Sequence, residues 1–222
     1  FISKIRSIQF QQAVGDRGPE SHKVKDGTPT MGGLLIIGSV IFSSLLWGDF
    51  SNRFLLIALL CLFLFALLGF LDDYKKVKEK NSKGLSSWTK ISYQLLFASI
   101  ISLALYFCIF ESFELAYIVP FFKEVSLSLG LLFIPISIFI IVGSSNAVNL
   151  TDGLDGLAIL PVILITAALG LIAWAAGNTI VSEYLYIPYI DGTGELLVIC
   201  GALIGAGIGF LWFNAYPAQI FM

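Results

Sequence analysis

Six stretches of this chain run without a single charged side chain: 27–48, 54–71, 91–110, 125–151, 156–182 and 196–222. A helix needs about 20 mostly apolar residues to cross the hydrocarbon of a bilayer. Inside lipid every backbone N–H and C=O must be bonded within its own segment, which leaves helices and closed barrels. None of the runs alternates apolar with polar residues, so helices are expected and barrel strands are not. The cores placed in lipid are 31–47, 54–71, 91–110, 129–145, 157–176 and 196–213. The expected fold is an all-α membrane protein, a polytopic helical bundle with about six complete transmembrane helices.

Charge supports this from the other side. Only 13% of the 222 residues are charged and 57% are hydrophobic, against about 25% charged in a soluble domain. Too little charge remains to coat a water-facing surface. With a net charge of −2, a polar disordered chain and a basic nucleic-acid binder are both excluded, and no nucleic acid is expected as partner. Cys61, Cys108 and Cys200 each stand alone in an apolar run, which offers neither a disulfide framework nor a zinc site. Phe1–Phe10 carries no signal-peptide pattern and reads as the end of an earlier helix.

The basic residues orient the bundle. Lys4, Arg6, Arg17, Lys23 and Lys25 fall in 1–30, and Lys75, Lys76, Lys78, Lys80, Lys83 and Lys90 in 72–90. Arg53 and Lys123 stand alone in the alternate loops. By the positive-inside rule 1–30 and 72–90 are expected to be cytoplasmic. Helix parity carries 146–156 and 214–222 to the same side, with 48–53, 111–128 and 177–195 outside.

Four polar motifs share that inferred face: GTPTMGG at 27–33, LGFLDDYKKV at 68–77, NAVNLTDGLDGLA at 146–158 and WFNAYPAQIFM at 212–222. Asp72 and Asp73 directly follow an apolar run, where they are expected at a helix C-terminus. The helix dipole disfavours negative charge there, and adjacent carboxylates repel unless a cation relieves them. Magnesium with substrate phosphates would supply that relief. Asp152 and Asp155 are expected on one face at the start of the next helix, and simple capping by Thr151 or Asp152 is the competing reading. Gly153 and Gly156 allow close backbone approach to a ligand, and Asn146 and Asn149 add amides beside it. The lysines also have a plainer reading, as topology signals or contacts to anionic lipid. Gly201, Gly205 and Gly209 read as a helix-packing stripe, and Pro135 and Pro161 as kinks.

Taken together, the four motifs resemble those of the phospho-N-acetylmuramoyl-pentapeptide transferase family, within the polyprenyl-phosphate hexose-1-phosphate transferases, along the whole chain. The resemblance implies a ten-helix, magnesium-dependent enzyme of the bacterial cytoplasmic (inner) membrane, working on its cytoplasmic face. It implies transfer of phospho-MurNAc-pentapeptide from UDP-MurNAc-pentapeptide to undecaprenyl phosphate, yielding lipid I and UMP for peptidoglycan. Residues 1–222 would then be one truncated integral-membrane transferase domain. Asp72 and Asp73 match the family's aspartate pair, Lys25 and Thr30 the positions around its TPT, and Lys76 the lysine after the pair. Lys90, Asp152, Gly153, Leu154, Asp155, Asn214 and Phe221 match further binding positions, and Asn149 lies in the same motif. A Gly-Asp whose aspartate is the principal magnesium ligand is expected just after Met222, with Asp72 and Asp73 contributing. The fragment alone is therefore expected to be inactive. Dimerisation is an expectation at the level of the family.

In the expected reaction the lipid phosphate oxygen attacks the β-phosphorus, with Asp72 deprotonating or positioning the lipid phosphate and Asp73 balancing metal and charge. A double displacement through a covalent aspartyl intermediate is the other route. Two rival readings stand beside it: a sibling transferase moving GlcNAc-1-phosphate to the same lipid, and an ion-coupled transporter. Transporter sites lie near the midplane, whereas these acids gather at one face.

Overall fold

The computed structural model describes residues 31–79, 84–110, 116–118, 126–152, 156–216 and 218–220. Its helices are α1 (Gly33–Trp47), α2 (Arg53–Glu79), α3 (Ser87–Phe110), α4 (Phe133–Thr151), α5 (Ile159–Ala176), α6 (Thr179–Leu185) and α7 (Leu196–Asn214). Each expected span forms a helix. Five of them are long and apolar enough to cross a membrane, whereas α1 has 15 residues and is shorter. The chain is an all-α polytopic membrane protein, with one small addition in the 111–128 loop. There β1 (Ala116–Ile118) and β2 (Ser126–Ser128) pair antiparallel, with Ala116 opposite Ser128.

The tightest pairing is α5 on α7, followed by α1 on α7, α3 on α4 and α2 on α3. The core lies where α1, α5 and α7 meet, and joins Ile36, Val40, Ile159 and Phe210 to Ile220 beyond the end of α7. Lipid is as apolar as these side chains, so close backbone approach and van der Waals contact must hold the helices together. Small residues provide that approach. A Cβ on Gly207 would lie 2.8 Å from Ile163 Cγ1, and one on Gly170 would lie 2.9 Å from Cys200 Cβ.

The stripe of Gly201, Gly205 and Gly209 does not play that part here. A Cβ at any of the three would meet nothing within 4 Å. They line an open groove of about 750 Å³ between α1 and α7, together with Ser39 and Ser43. The packing glycine of α7 is Gly207, on another face. The two prolines are also corrected: each is the third residue of its helix. A first-turn N–H has no intrahelical partner, so Pro135 and Pro161 start helices without kinking them.

Contacts fix which loops share an end of the bundle. At one end the Asp49 N–H donates to Glu195 Oε1 at 2.7 Å and Asn52 Nδ2 donates to the Gly192 carbonyl at 2.8 Å, tying the α1–α2 turn to the segment before α7. At the other end lie the close of α2, the start of α3, the close of α4 and the junction between Gly156 and Asn214.

Candidate functional site

Helix α2 does not stop at its apolar run. It continues through Asp72 and Asp73 to Glu79, so these acids sit within the helix and not at its C-terminus. Spacing is the reason, because Asp72 and Asp73 stand four and three residues before Lys76, the separations at which helical side chains meet. Lys76 Nζ lies 2.8 Å from Asp72 Oδ2 and 2.8 Å from Asp73 Oδ1. Lys76 and Lys78 in the last turn also complement the negative end of the helix dipole. The repulsion between neighbouring carboxylates is thus met by an internal cation.

Asp72 is buried, and both its oxygens are engaged: Oδ1 accepts the Leu85 N–H at 2.8 Å while Oδ2 faces Lys76. Gly84 makes this possible. Its φ is +55°, and a Cβ there would stand 2.5 Å from Asp72 Oδ1 and 2.9 Å from Lys76 Cε. A residue with a side chain would meet both the left-handed backbone and the ion pair. Asp73 is more open, and among the described residues only its Oδ1 has a partner, Lys76.

The next helix begins on a serine cap, with Ser86 Oγ accepting from the Thr89 N–H at 3.2 Å. One turn on, Lys90 Nζ donates to Asn149 Oδ1 on α4 at 3.4 Å, and Lys90 is near enough for its charge to act on Asp72. A further turn into α3, Gln94 is buried and pairs with Asn146, whose Nδ2 donates to Gln94 Oε1 at 2.9 Å.

Asp152 is the C-cap of α4, with φ −81° and ψ +50°. It does not open a helix, as its position before an apolar run suggests, because the polar NAVNLT segment continues α4 and α5 starts only at Ile159. The helix end therefore gives this carboxylate no favourable dipole. The protein around it, and after that the negative charge of Asp73, push the Asp152 carboxyl above its ordinary value, although the residue keeps contact with solvent.

Asn214 closes the site end. It is buried, its Oδ1 accepts the Gly156 N–H at 3.0 Å, and its Nδ2 donates to the Ile220 carbonyl at 2.9 Å. Gly156 adopts φ +71° at this junction.

The fold therefore brings Asp72, Asp73, Lys76, Lys90, Asn149 and Asp152 together from three helices, with Asn214 at the neighbouring junction. Lys25, Thr30, Gly153, Leu154, Asp155 and Phe221 lie outside the described residues. Gly84, Leu85 and Gln94 were not singled out from sequence. Gln94 carried a signal, being an amide inside an apolar run, while Gly84 offered only a glycine after a basic loop.

Among the described residues no three His, Cys, Asp or Glu side chains gather into a metal cage. Magnesium does not require one, since it binds through one or two carboxylates and completes its shell with water and phosphate oxygens. The partly exposed carboxylate of Asp73, and the repulsion between Asp73 and Asp152 that a cation would relieve, fit that ion.

The family described as Glycosyl transferase family 4 matches residues 55–222. A motif described as phospho-N-acetylmuramoyl-pentapeptide-transferase signature 1 matches residues 25–37, which include Lys25, Thr30 and the first turn of α1.

Proposed function

The chain belongs to glycosyl transferase family 4, and from this we propose that it transfers phospho-MurNAc-pentapeptide from UDP-MurNAc-pentapeptide to undecaprenyl phosphate, giving lipid I and UMP. The transferase class follows from the family, and the signature at 25–37 favours this branch over a GlcNAc-1-phosphate transferase. The observation that carries the reading is the convergence of Asp72, Asp73, Lys76, Lys90, Asn149 and Asp152 at one end of an otherwise apolar bundle. A diphosphate donor and a lipid phosphate bring several negative charges to one place. Lysines and a cation are what such a reaction needs, because charge spreads over the transferred phosphoryl group. The lysine-rich 72–90 segment supports a cytoplasmic location for this end in the bacterial inner membrane.

Each residue has a role in this reading. The attacking lipid phosphate is largely ionised at neutral pH, since the second pKa of a phosphate monoester is about 6. The reaction therefore needs little from a strong general base. Asp72, with both oxygens engaged, serves best by fixing Lys76, whose ammonium would meet phosphate oxygens. Asp73, with Asp152 close enough to feel its charge, would hold Mg²⁺, which supplies charge neutralisation on the diphosphate when bound. Lys90, placed by Asn149, would meet the same phosphates from α3. The negative charge of the donor thus enters a site whose cations are already positioned.

The test is UMP release by the full-length protein in detergent or nanodiscs. UMP should appear from UDP-MurNAc-pentapeptide only when undecaprenyl phosphate and Mg²⁺ are both present, and much more slowly from UDP-GlcNAc. Faster turnover of UDP-GlcNAc would move the chain to the sibling branch. Ion-driven uptake without UMP release would overturn the reading altogether.

A further inference from the structure

Helix α4 is unusual in this bundle because none of its residues is buried, and among the described elements it packs chiefly on α3. Yet its last turn carries Asn149, and its C-cap is Asp152. Something other than apolar packing must fix where that end stands.

The α3–α4 seam supplies it. Gln94 is 2% exposed, and its Oε1 accepts from Asn146 Nδ2 at 2.9 Å. Its own Nε2 lies 3.5 Å from both Asn146 Oδ1 and Ser145 Oγ. Asn146 Nδ2 also donates to the Val142 carbonyl of its own helix at 2.8 Å, which fixes the side-chain rotamer. One turn nearer the site, Lys90 and Asn149 form the second rung of the same ladder at 3.4 Å. Gln94 stands four residues after Lys90 and Asn146 three before Asn149, so both rungs fall on the facing sides of two helices.

We propose that the Gln94–Asn146 amide pair is a positioning device for the transferase site. It fixes the depth and rotation of α4 on α3, and with them the placement of Asn149 and Asp152 beside Asp73. Apolar contacts across such a seam would tolerate sliding, since lipid-facing and helix-facing methyl groups have similar environments. Amides do not tolerate it. A slip of one helical turn, about 5.4 Å, would leave the buried Gln94 amide and the half-buried Asn146 amide without each other, a loss that lipid cannot make good. Gln94 and Asn146 act through Asn149 and Asp152 and are positioning residues, not catalytic ones. The proposal rests on the transferase reading given above.

The experiment uses the full-length protein in nanodiscs. Turnover and melting temperature are measured for Gln94→Leu, Asn146→Leu, the double Gln94→Leu/Asn146→Leu, and the exchange Gln94→Asn/Asn146→Gln. In parallel, nitroxides are placed at Trp88→Cys and Leu150→Cys, each residue being 83% exposed, in a background where Cys61, Cys108 and Cys200 are alanine. The spin–spin distance then reports the register of α3 against α4 without any reaction.

The wild type should give one narrow distance. The double leucine variant should melt near the wild type, broaden or shift that distance by several ångströms, and lose about 10- to 100-fold in kcat with little change in KM. A misplacement of about 1 Å can cost 10²-fold. The exchange variant, which keeps an amide on each helix, should recover the distance and most of the turnover. Turnover in the double leucine variant with distance and kcat unmoved overturns the proposal. So does activity that falls only in proportion to melting temperature, or a silent Gln94→Leu beside a dead exchange variant. A wild-type protein that releases no UMP from any UDP-sugar overturns the transferase reading instead, and the clamp loses the site it would serve.

Discussion

Asn214 Oδ1 accepts the backbone N–H of Gly156 at 3.0 Å, joining two segments 58 residues apart. The same amide donates to the Ile220 carbonyl, so three stretches of chain meet at one side chain. Asn214→Leu would leave the half-buried Gly156 N–H and the buried Ile220 carbonyl unpaired, the latter at about 1–3 kcal/mol. Thermal unfolding in detergent should register that loss. Asn214→Asp keeps the acceptor for Gly156 but turns a carboxylate toward the Ile220 carbonyl, so it should not restore stability.

Removing Lys76 tests the internal cation. Lys76→Met leaves two adjacent carboxylates, one of them buried, without their shared partner, and should destabilise the protein by less than the ~3–5 kcal/mol of a fully buried pair, because Lys76 and Asp73 remain partly exposed. The double variant Asp72→Asn/Lys76→Met should regain much of that stability and none of the turnover. If turnover returns along with stability, Lys76 is only a structural counter-ion.

Gly84 separates backbone strain from contact. Gly84→Ala places a Cβ 2.5 Å from Asp72 Oδ1, and kcat should fall ~10-fold or more as the carboxylate and Lys76 shift. Asn tolerates the left-handed conformation better than Ala but carries the same Cβ. Gly84→Asn should therefore be as slow as Gly84→Ala in the UMP-release assay. Recovery with Asn would mean that strain alone matters.

The pH dependence concerns Asp152. Its folded value lies above the ordinary carboxylate value of about 3.9, because of desolvation first and Asp73 second. The folded state therefore binds more protons than the unfolded state. Stability falls as pH rises from the ordinary value through the raised one, and the loss persists at neutral pH. Asp152→Asn should melt higher than the wild type at pH 7 and equally at pH 3, while losing turnover. Added Mg²⁺ should narrow the gap at pH 7 by stabilising the wild type. A variant that melts lower at pH 7 would return Asp152 to a purely structural role.

Asn52 is the control at the far end. Its Oδ1 caps α2 by accepting the Leu55 N–H at 3.1 Å, while its Nδ2 holds the Gly192 carbonyl. Asn52→Ala should lower stability by about 1 kcal/mol and leave kcat at the wild-type value, measured in the same assay.

The membrane spans were legible because each is a long run in which charge is absent, and absence of charge is a property of the segment alone. Their ends were less so. Leu71 closes the apolar run, but Asp72, Asp73 and Lys76 carry the helix on to Glu79 by pairing within it. Similarly, Asn146 and Asn149 looked like a loop approaching a turn and proved to be the last turns of α4. Asp72, Asp73, Lys76 and Asp152 could be named from sequence, since acids and lysines bordering lipid are costly unless used. Gly84 could not, because its value lies in the Asp72–Lys76 pair of the preceding helix, and Gln94 showed only as an amide in an apolar run, since its partner lies across a helix seam. The stripe of Gly201, Gly205 and Gly209 has helix-packing spacing, yet spacing does not say which face of α7 meets a neighbour.

The two hydrogen bonds that bind the α1–α2 turn to the segment before α7, from Asp49 to Glu195 and from Asn52 to Gly192, have a counterpart at the far tip of that helix, where Asn214 holds Gly156 and Ile220. Helix α7 is therefore tethered at both ends. Its 19 residues span about 28 Å at 1.5 Å per residue, and it cannot slide along its axis without stretching a bond at one tip or the other. The length of this one helix thus sets the separation between the two ends of the bundle.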